Sequence, residues 1–352
     1  MGKKVRRFLH VFFKIFIIMM LGILVINVLM FGAMYIYHRN KCNKEESYMH
    51  APGRYVNVDG HQVHIYEAGN LESDKVLVFL HGGLSCNDSI AVQPMFDELE
   101  EYHLVYIDRS GYGYTISNGA AKDIDSILNE TRGALEAAEI SGPYFLMASE
   151  SAGIEAVYWA DKYGSEVAGI IGIDMNYPEQ FLSTTSEEYA GFFDYLMSKF
   201  CKIGGMRLTK SAYQDDINNI YSSIQKKTMD ALVSQRAYTN DMFAENEATV
   251  DNAAKVADMG WPENTKMLMI LANPAMKPYA DDDSSVKESL EKASRNNPDF
   301  DFASAYNESR KDYLSKFTNV KITELSGPSK LYTYCPKDVA KKVTEFVESI
   351  EK

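Results

Sequence analysis

Apolar and polar positions divide the chain into three regimes. The first is a single apolar run, Ile15 to Tyr37, of 23 residues without a charge. As a helix rising about 1.5 Å per residue it reaches ~34 Å, enough to cross a hydrocarbon layer of ~30 Å. The second follows a polar stretch at 38–52, which reads as a linker. Short apolar runs then alternate with segments of helical period. Arg54–Val58 and Val63–Glu67 flank Asp59-Gly60, a hairpin turn signal. Further strands are predicted at Val76–Leu80, His103–Ile107, Tyr144–Ala148, Ala168–Ile173, Lys266–Leu271 and Val320–Leu325, with helices that include Ile154–Lys162 and Lys337–Ile350. An opening hairpin followed by strand–helix alternation predicts an α/β fold, with a mostly parallel sheet covered by helices on both faces.

The third regime interrupts that rhythm. About ninety residues of helical composition separate the strand ending near Asp174 from the one beginning near Lys266, too many for a loop. Glu187–Lys199 and Thr228–Glu247 have apolar spacing suited to amphipathic helices. The expected organisation is a basic tail at 1–14, a transmembrane helix at 15–37 and a linker at 38–52. A core follows, built from 53–174 and 266–352, with a helical cap at 175–265.

Charge sharpens the reading of the apolar run. Residues 1–44 carry Lys3, Lys4, Arg6, Arg7, Lys14, Arg39, Lys41 and Lys44 and no acid. Removing those eight positive charges from the net of −13 leaves −21 on the remainder. An acidic body repels phosphate backbones, which argues against a nucleic-acid partner. The basic excess before the run places the N-terminus in the cytoplasm and the body outside it, and the partner in question is the lipid bilayer. The run is too long for the core of a cleaved signal peptide and no A-x-A site follows it, so an uncleaved signal anchor is expected. The four cysteines, Cys42, Cys86, Cys201 and Cys335, form no metal-binding spacing and are expected as free thiols.

Candidate chemistry gathers at three strand ends, where open α/β sheets place their sites. His81-Gly82-Gly83 follows Val76–Leu80, and Asp108-Arg109-Ser110-Gly111-Tyr112-Gly113 follows His103–Ile107. Ser149-Glu150-Ser151-Ala152-Gly153 follows Tyr144–Ala148 and precedes a helix. Its small residues two before and two after Ser151 suit a strained strand-to-helix turn. The three motifs together, in this order, resemble the α/β-hydrolase superfamily, in particular its capped branch of prolyl-iminopeptidase- and haloperoxidase-like proteins. The resemblance runs from about Arg54 to the C-terminus. It implies Ser151 as nucleophile and the backbone N–H groups of Gly83 and Ala152 as oxyanion hole. His81 is expected to hydrogen bond the backbone of its own loop, and Asp108 and Arg109 to brace the loop beside it.

The same resemblance implies a histidine after the last strand, where Leu325-Ser326-Gly327-Pro328-Ser329-Lys330 stands and Pro328 takes the position. The seven histidines are His10, His38, His50, His61, His64, His81 and His103, so none follows Ser151. The implied acid is no clearer, with Asp174 and Asp281 as candidates and Asp174 equally able to close its strand. Without a base a serine hydroxyl is a poor nucleophile. Two functions stay open. One is a membrane-anchored pseudo-hydrolase holding a small-molecule or peptide ligand under the cap. The other is an active serine hydrolase of esters or peptides, acting through an acyl-enzyme, with a substitute base such as Lys330, which otherwise reads as a solvated surface lysine. Neither calls for a metal or cofactor.

Overall fold

The computed structural model describes residues 2–182, 192–208, 217–298 and 300–350. Helix α1 runs unbroken from Lys3 to Glu45, and its side chains from Phe8 to Tyr37 are largely exposed. It is long and apolar enough to cross a membrane. The polar stretch after Tyr37 begins as helix rather than linker. His38 and Glu45 lie on the last turns of α1 and are buried. Polarity there marks the point where the helix begins to pack against the body, which hydropathy alone does not separate from a loop.

The body is built on an eight-stranded sheet of order β1-β2-β4-β3-β5-β6-β7-β8. The strands are β1 (Arg54–Val58), β2 (His61–Gly69), β3 (Val76–Leu80), β4 (His103–Asp108), β5 (Tyr144–Ser149), β6 (Val167–Ile173), β7 (Met267–Asn273) and β8 (Val320–Ser326). β1–β2 and β2–β4 pair antiparallel and the remaining neighbours pair parallel. Asp59 and Gly60 both take positive φ and join β1 to β2 in a two-residue turn.

Helices α2 (Asp88–Ala91), α3 (Gln93–Phe96), α4 (Ile124–Ala137) and α5 (Ala152–Lys162) lie between strands of the first half. After β6 come α6 (Phe192–Lys202), α7 (Ser223–Arg236) and α8 (Asn240–Met259). The chain closes with α9 (Tyr279–Asp282), α10 (Ser284–Asn296), α11 (Phe302–Ala305), α12 (Glu308–Leu314) and α13 (Pro336–Ile350). Alternation along the strands fills two cores. Val76, Val78 and Leu80 of β3 pack with Leu146, Ala148 and Trp159 on one face, while Leu77 and Phe79 pack with Phe96, Val339 and Val343 on the other. That two-sided burial explains why these strands read as continuous apolar runs.

The helices between β6 and β7 bridge two parts of the molecule. α8 packs on α5, and α7 packs on both α2 and the end of α1. The segment Thr228–Glu247 is two helices rather than one. Tyr238 turns with φ 56° and Thr239 caps α8 by accepting from Met242 N–H. Of Glu187–Lys199, the part from Phe192 onward is helical, and 187–191 lie outside the described residues.

Candidate functional site

The turn after β5 is tight for a visible reason. Gly153 packs against the backbone beyond β6, where a Cβ would collide with the Asn176 carbonyl. Asn176 N–H in turn donates to the Glu150 carbonyl at 2.8 Å, fastening the turn to the end of β6. The residue in the left-handed conformation is Glu150, with φ 52°, whereas Ser151, the residue just before α5, has φ −65° and ψ −15°. The left-handed position thus falls one residue before the Ser151 expected from the sequence. Ala148 and Ala152 stand two positions either side of Glu150, as small as Ser149 and Gly153 around Ser151. Residue size fits both frames and only the backbone separates them.

The two side chains diverge. Glu150 lines a cleft of about 510 Å³ at the C-terminal edge of the sheet. That cleft is lined by Gly83, Ser85 and Asp88 and, from the segment between β6 and β7, by Met206, Met229, Val233 and Ala237. Ser151 instead lines a space of about 30 Å³ beside Arg109, Glu155 and Glu245. Its Oγ accepts the Gly83 N–H at 2.9 Å. One of the two N–H groups assigned to an oxyanion hole is therefore occupied by the serine itself, and the other, on Ala152, belongs to the first residue of α5. Among the described residues, no hydrogen bond joins a basic side chain to Ser151 Oγ.

Lys330 reaches into the cleft from the loop after β8, the same loop that carries Pro328. It is not a solvated surface lysine. Its Nζ donates to Ser85 Oγ at 2.9 Å and Asp88 Oδ1 at 3.0 Å, and lies 3.8 Å from Glu150 Oε2. Burial opposes its charge, but the Asp88 and Glu150 carboxylates more than offset this and hold the ammonium above its ordinary pKa. Lys330 is thus protonated and unsuited to act as a base. Asp88 is buried as well, yet Lys330 keeps it below the usual carboxylate range, and Tyr332 OH donates to it at 3.0 Å. Burial pushes Glu150 up, with Lys330 acting in the opposite direction.

The acid candidates do not join this group. Asp174 closes β6, accepts from Ala272 N–H at 3.1 Å and from Arg310 Nη1 at 2.6 Å, and so fastens β6, β7 and α12 together. Asp281 sits on α9, half-exposed, paired with Lys277 at 2.8 Å. At the end of β7, Asn273 is fully buried, its amide donating to the Ala303 carbonyl at 2.8 Å.

The bracing residues are tied into the core. Arg109 donates to the His81 carbonyl at 3.1 Å, to Glu155 at 3.2 Å and to Glu245 at 2.5 Å, joining the glycine loop, α5 and α8. Asp108 accepts from His64 Nδ1 at 2.7 Å and from Tyr114 N–H at 3.0 Å. His81 Nδ1 donates to the Gly82 carbonyl at 2.8 Å. Burial, followed by the Arg109 charge, lowers its pKa to about 4, so the ring is neutral. The functional residues missed by sequence reasoning are Asp88 and the turn role of Glu150. The one signal for the first was an acid, Asp88, soon after the glycine loop.

Sheet order, the turn after β5 and the glycine loop after β3 together define the α/β-hydrolase fold, and this chain has it. No family model matches the sequence. It is similar to the uncharacterised Bacillus subtilis (strain 168) protein YbdG, with 26% identity over 348 residues covering 96% of this chain and 98% of that one. Among solved structures it resembles Cfl2 from Burkholderia cenocepacia, with a TM-score of 0.58 and 15% identity, covering 83% of this chain and 94% of that one. It also resembles AqDC, which recognises and ring-cleaves the Pseudomonas quinolone signal, with a TM-score of 0.57 and 15% identity over 84% of this chain and 99% of that one.

Proposed function

We propose that this protein is a membrane-tethered pseudo-hydrolase, a ligand-binding or regulatory module rather than a serine hydrolase. The observation that carries the reading is the exchange of roles at the turn after β5. A carboxylate, Glu150, occupies the turn and faces the cleft beside the charged Lys330, while the Ser151 hydroxyl fills Gly83 N–H. An acyl-enzyme route needs a base for the serine and a free oxyanion site, and this arrangement supports neither. Lys330 already has Ser85 and Asp88 as hydrogen-bond partners, and Glu150 is the carboxylate of the cleft assigned to a ligand. The ligand class that fits is a small molecule or peptide end with a hydrogen-bond-donating or cationic head and an apolar body. The head meets Glu150, and the body lies against Met229, Val233 and Ala237. The basic excess before the apolar run supports an N-terminus in the cytoplasm and a body outside it.

Two measurements test this on the full-length protein. A fluorophosphonate probe is expected to leave Ser151 unlabelled, and rapid, saturating labelling there would overturn the reading. A dansyl-labelled alkylamine is expected to bind, with affinity falling about tenfold or more in Glu150→Gln as a charge-assisted hydrogen bond is lost. Equal binding by both forms would remove Glu150 from the site.

A further inference from the structure

The end of α1 fixes the depth of the inserted helices relative to the membrane. Tyr37 is the last residue of the apolar run and His38 the first beyond it. Gly204 packs directly on His38, where an added Cβ would come within 2.8 Å of Cγ. Arg207, in the short 3-10 turn Gly205–Leu208, donates to His38 Nδ1 at 2.8 Å, and both its Nη1 and Nη2 donate to Glu45 at 2.7 Å. Gln235 of α7 donates to the same carboxylate at 2.7 Å. Arg207 is thus bound to two points seven residues apart on α1, about 10 Å of helix. The inserted segment cannot pivot away from the anchor without breaking a buried ion pair.

That fixed edge carries apolar side chains facing outward. On α6, Phe193, Leu196, Met197 and Phe200 recur at helical spacing on one face, and the first three are exposed, Phe193 at 82%. A different face of the helix is covered, with Ser198 and Cys201 buried against the body. Leu208, one residue beyond Arg207, is 71% exposed. Lys199 and Lys202 stand off the apolar face in the last turn. One exposed apolar face with basic residues beside it is the pattern of a helix lying in a lipid interface. Here the helix leads directly into Gly204 and Arg207, which hold the end of α1 just beyond its apolar run.

We propose that the exposed face of α6, together with Leu208, lies in the headgroup region of the bilayer that α1 crosses, giving the body a second, interfacial membrane contact. Met206, on the same 3-10 turn, lines the cleft, so this contact also sets the cleft wall at the lipid surface. Burial of three or four apolar side chains at an interface adds to the anchor in the way a second membrane signal does.

The test uses the full-length protein in nanodiscs whose lipids carry a nitroxide either near the headgroup or deep in the acyl chain. Single tryptophans are introduced at exposed positions, Leu196→Trp and Leu208→Trp. Leu71→Trp, in the β2–β3 connection at the opposite edge of the sheet, is the control. The emission added at 196 and 208 is expected to fall by about half with the shallow nitroxide and less with the deep one, as for a helix only ~5–10 Å into the boundary. Emission at 71 is expected to be unchanged. Quenching at 196 and 208 no greater than at 71 overturns the proposal, and so does quenching by the deep nitroxide alone, which would put α6 in the hydrocarbon. These outcomes do not depend on whether the cleft binds an amine, so failure here and failure of the ligand reading are told apart.

Discussion

The pairing of Lys330 with Asp88 can be tested through stability. Asp88 is 1% exposed, and its partners are Lys330 at 3.0 Å and Tyr332 OH at 3.0 Å, both on Oδ1. Lys330→Met removes the compensating charge and leaves a buried carboxylate held by the Tyr332 and Ser85 hydroxyls. At an effective dielectric of about 20, unit charges this close attract by roughly 5 kcal/mol, and deleting one partner of a buried pair costs about 3–5 kcal/mol. The Lys330 side chain keeps 17% exposure, so some water screens the pair, and a loss of ~3 kcal/mol at pH 7 is expected. The pH dependence has a definite sign. Asp88 is depressed in the folded protein, so its contribution is present above the unfolded carboxylate value near ~3.9 and disappears as pH falls through the lower folded value. Without Lys330, burial pushes Asp88 up in the variant, so the gap between wild type and Lys330→Met is widest where the variant's Asp88 is ionised and narrows as pH falls through that raised value. Urea unfolding of the full-length protein in detergent, followed by tryptophan emission, measures it. Adding Asp88→Asn to Lys330→Met is expected to recover most of the loss. A single variant within about 0.5 kcal/mol of wild type, or a double variant no better than the single, would refute a charged, paired Lys330 and reopen its role as a neutral base.

Two further outcomes follow from the turn and the glycine loop. Glu150→Gly relieves a left-handed conformation that costs a side chain about 1–2 kcal/mol, so stability by urea unfolding is expected to rise by ~1 kcal/mol while alkylamine binding is lost. A fall in stability would mean that the carboxylate serves the fold. His81 is neutral in the folded state with a pKa near 4, so the unfolded chain takes up a proton first as pH falls from about 6.5. Stability declines over that window by ~3 kcal/mol from this group, and His81→Gln is expected to flatten the slope between pH 6.5 and 4. An unchanged slope would assign the decline to other groups.

Legibility in the sequence followed the size of the physical signal. The parallel strands were plain because two-sided burial writes them as apolar runs, and every predicted strand agrees with the structure to within two residues. The β1–β2 turn was plain because Asp59-Gly60 suits two consecutive positive φ angles. What was hidden depended on contacts remote in sequence. The end of α1 read as a linker because its buried charge, Glu45, is matched by Arg207, 162 residues away. Lys330 read as a surface lysine because Asp88, 242 residues earlier, makes its burial tolerable. The frame of the turn was ambiguous because small residues flank both Glu150 and Ser151, and a carboxylate at the turn is the less familiar solution.

The Ser151–Gly83 hydrogen bond has a consequence for how far this site stands from hydrolase chemistry. On the proposed reading, supplying a histidine alone would not create a serine hydrolase. A new base would meet a carboxylate at the turn, a protonated lysine already bonded to Asp88, and an anion site plugged by a neighbouring hydroxyl. Recovery needs at least a hydroxyl at 150, a side chain at 151 that releases the Gly83 N–H, and a replacement for Lys330 that does not strand Asp88. On the reasoning above, the last of these is costly when made alone. On the proposed reading, the cleft is a separate, internally consistent solution rather than an enzyme one lesion short of activity. A search for its ligand would begin from Glu150 and the apolar wall opposite rather than from esters.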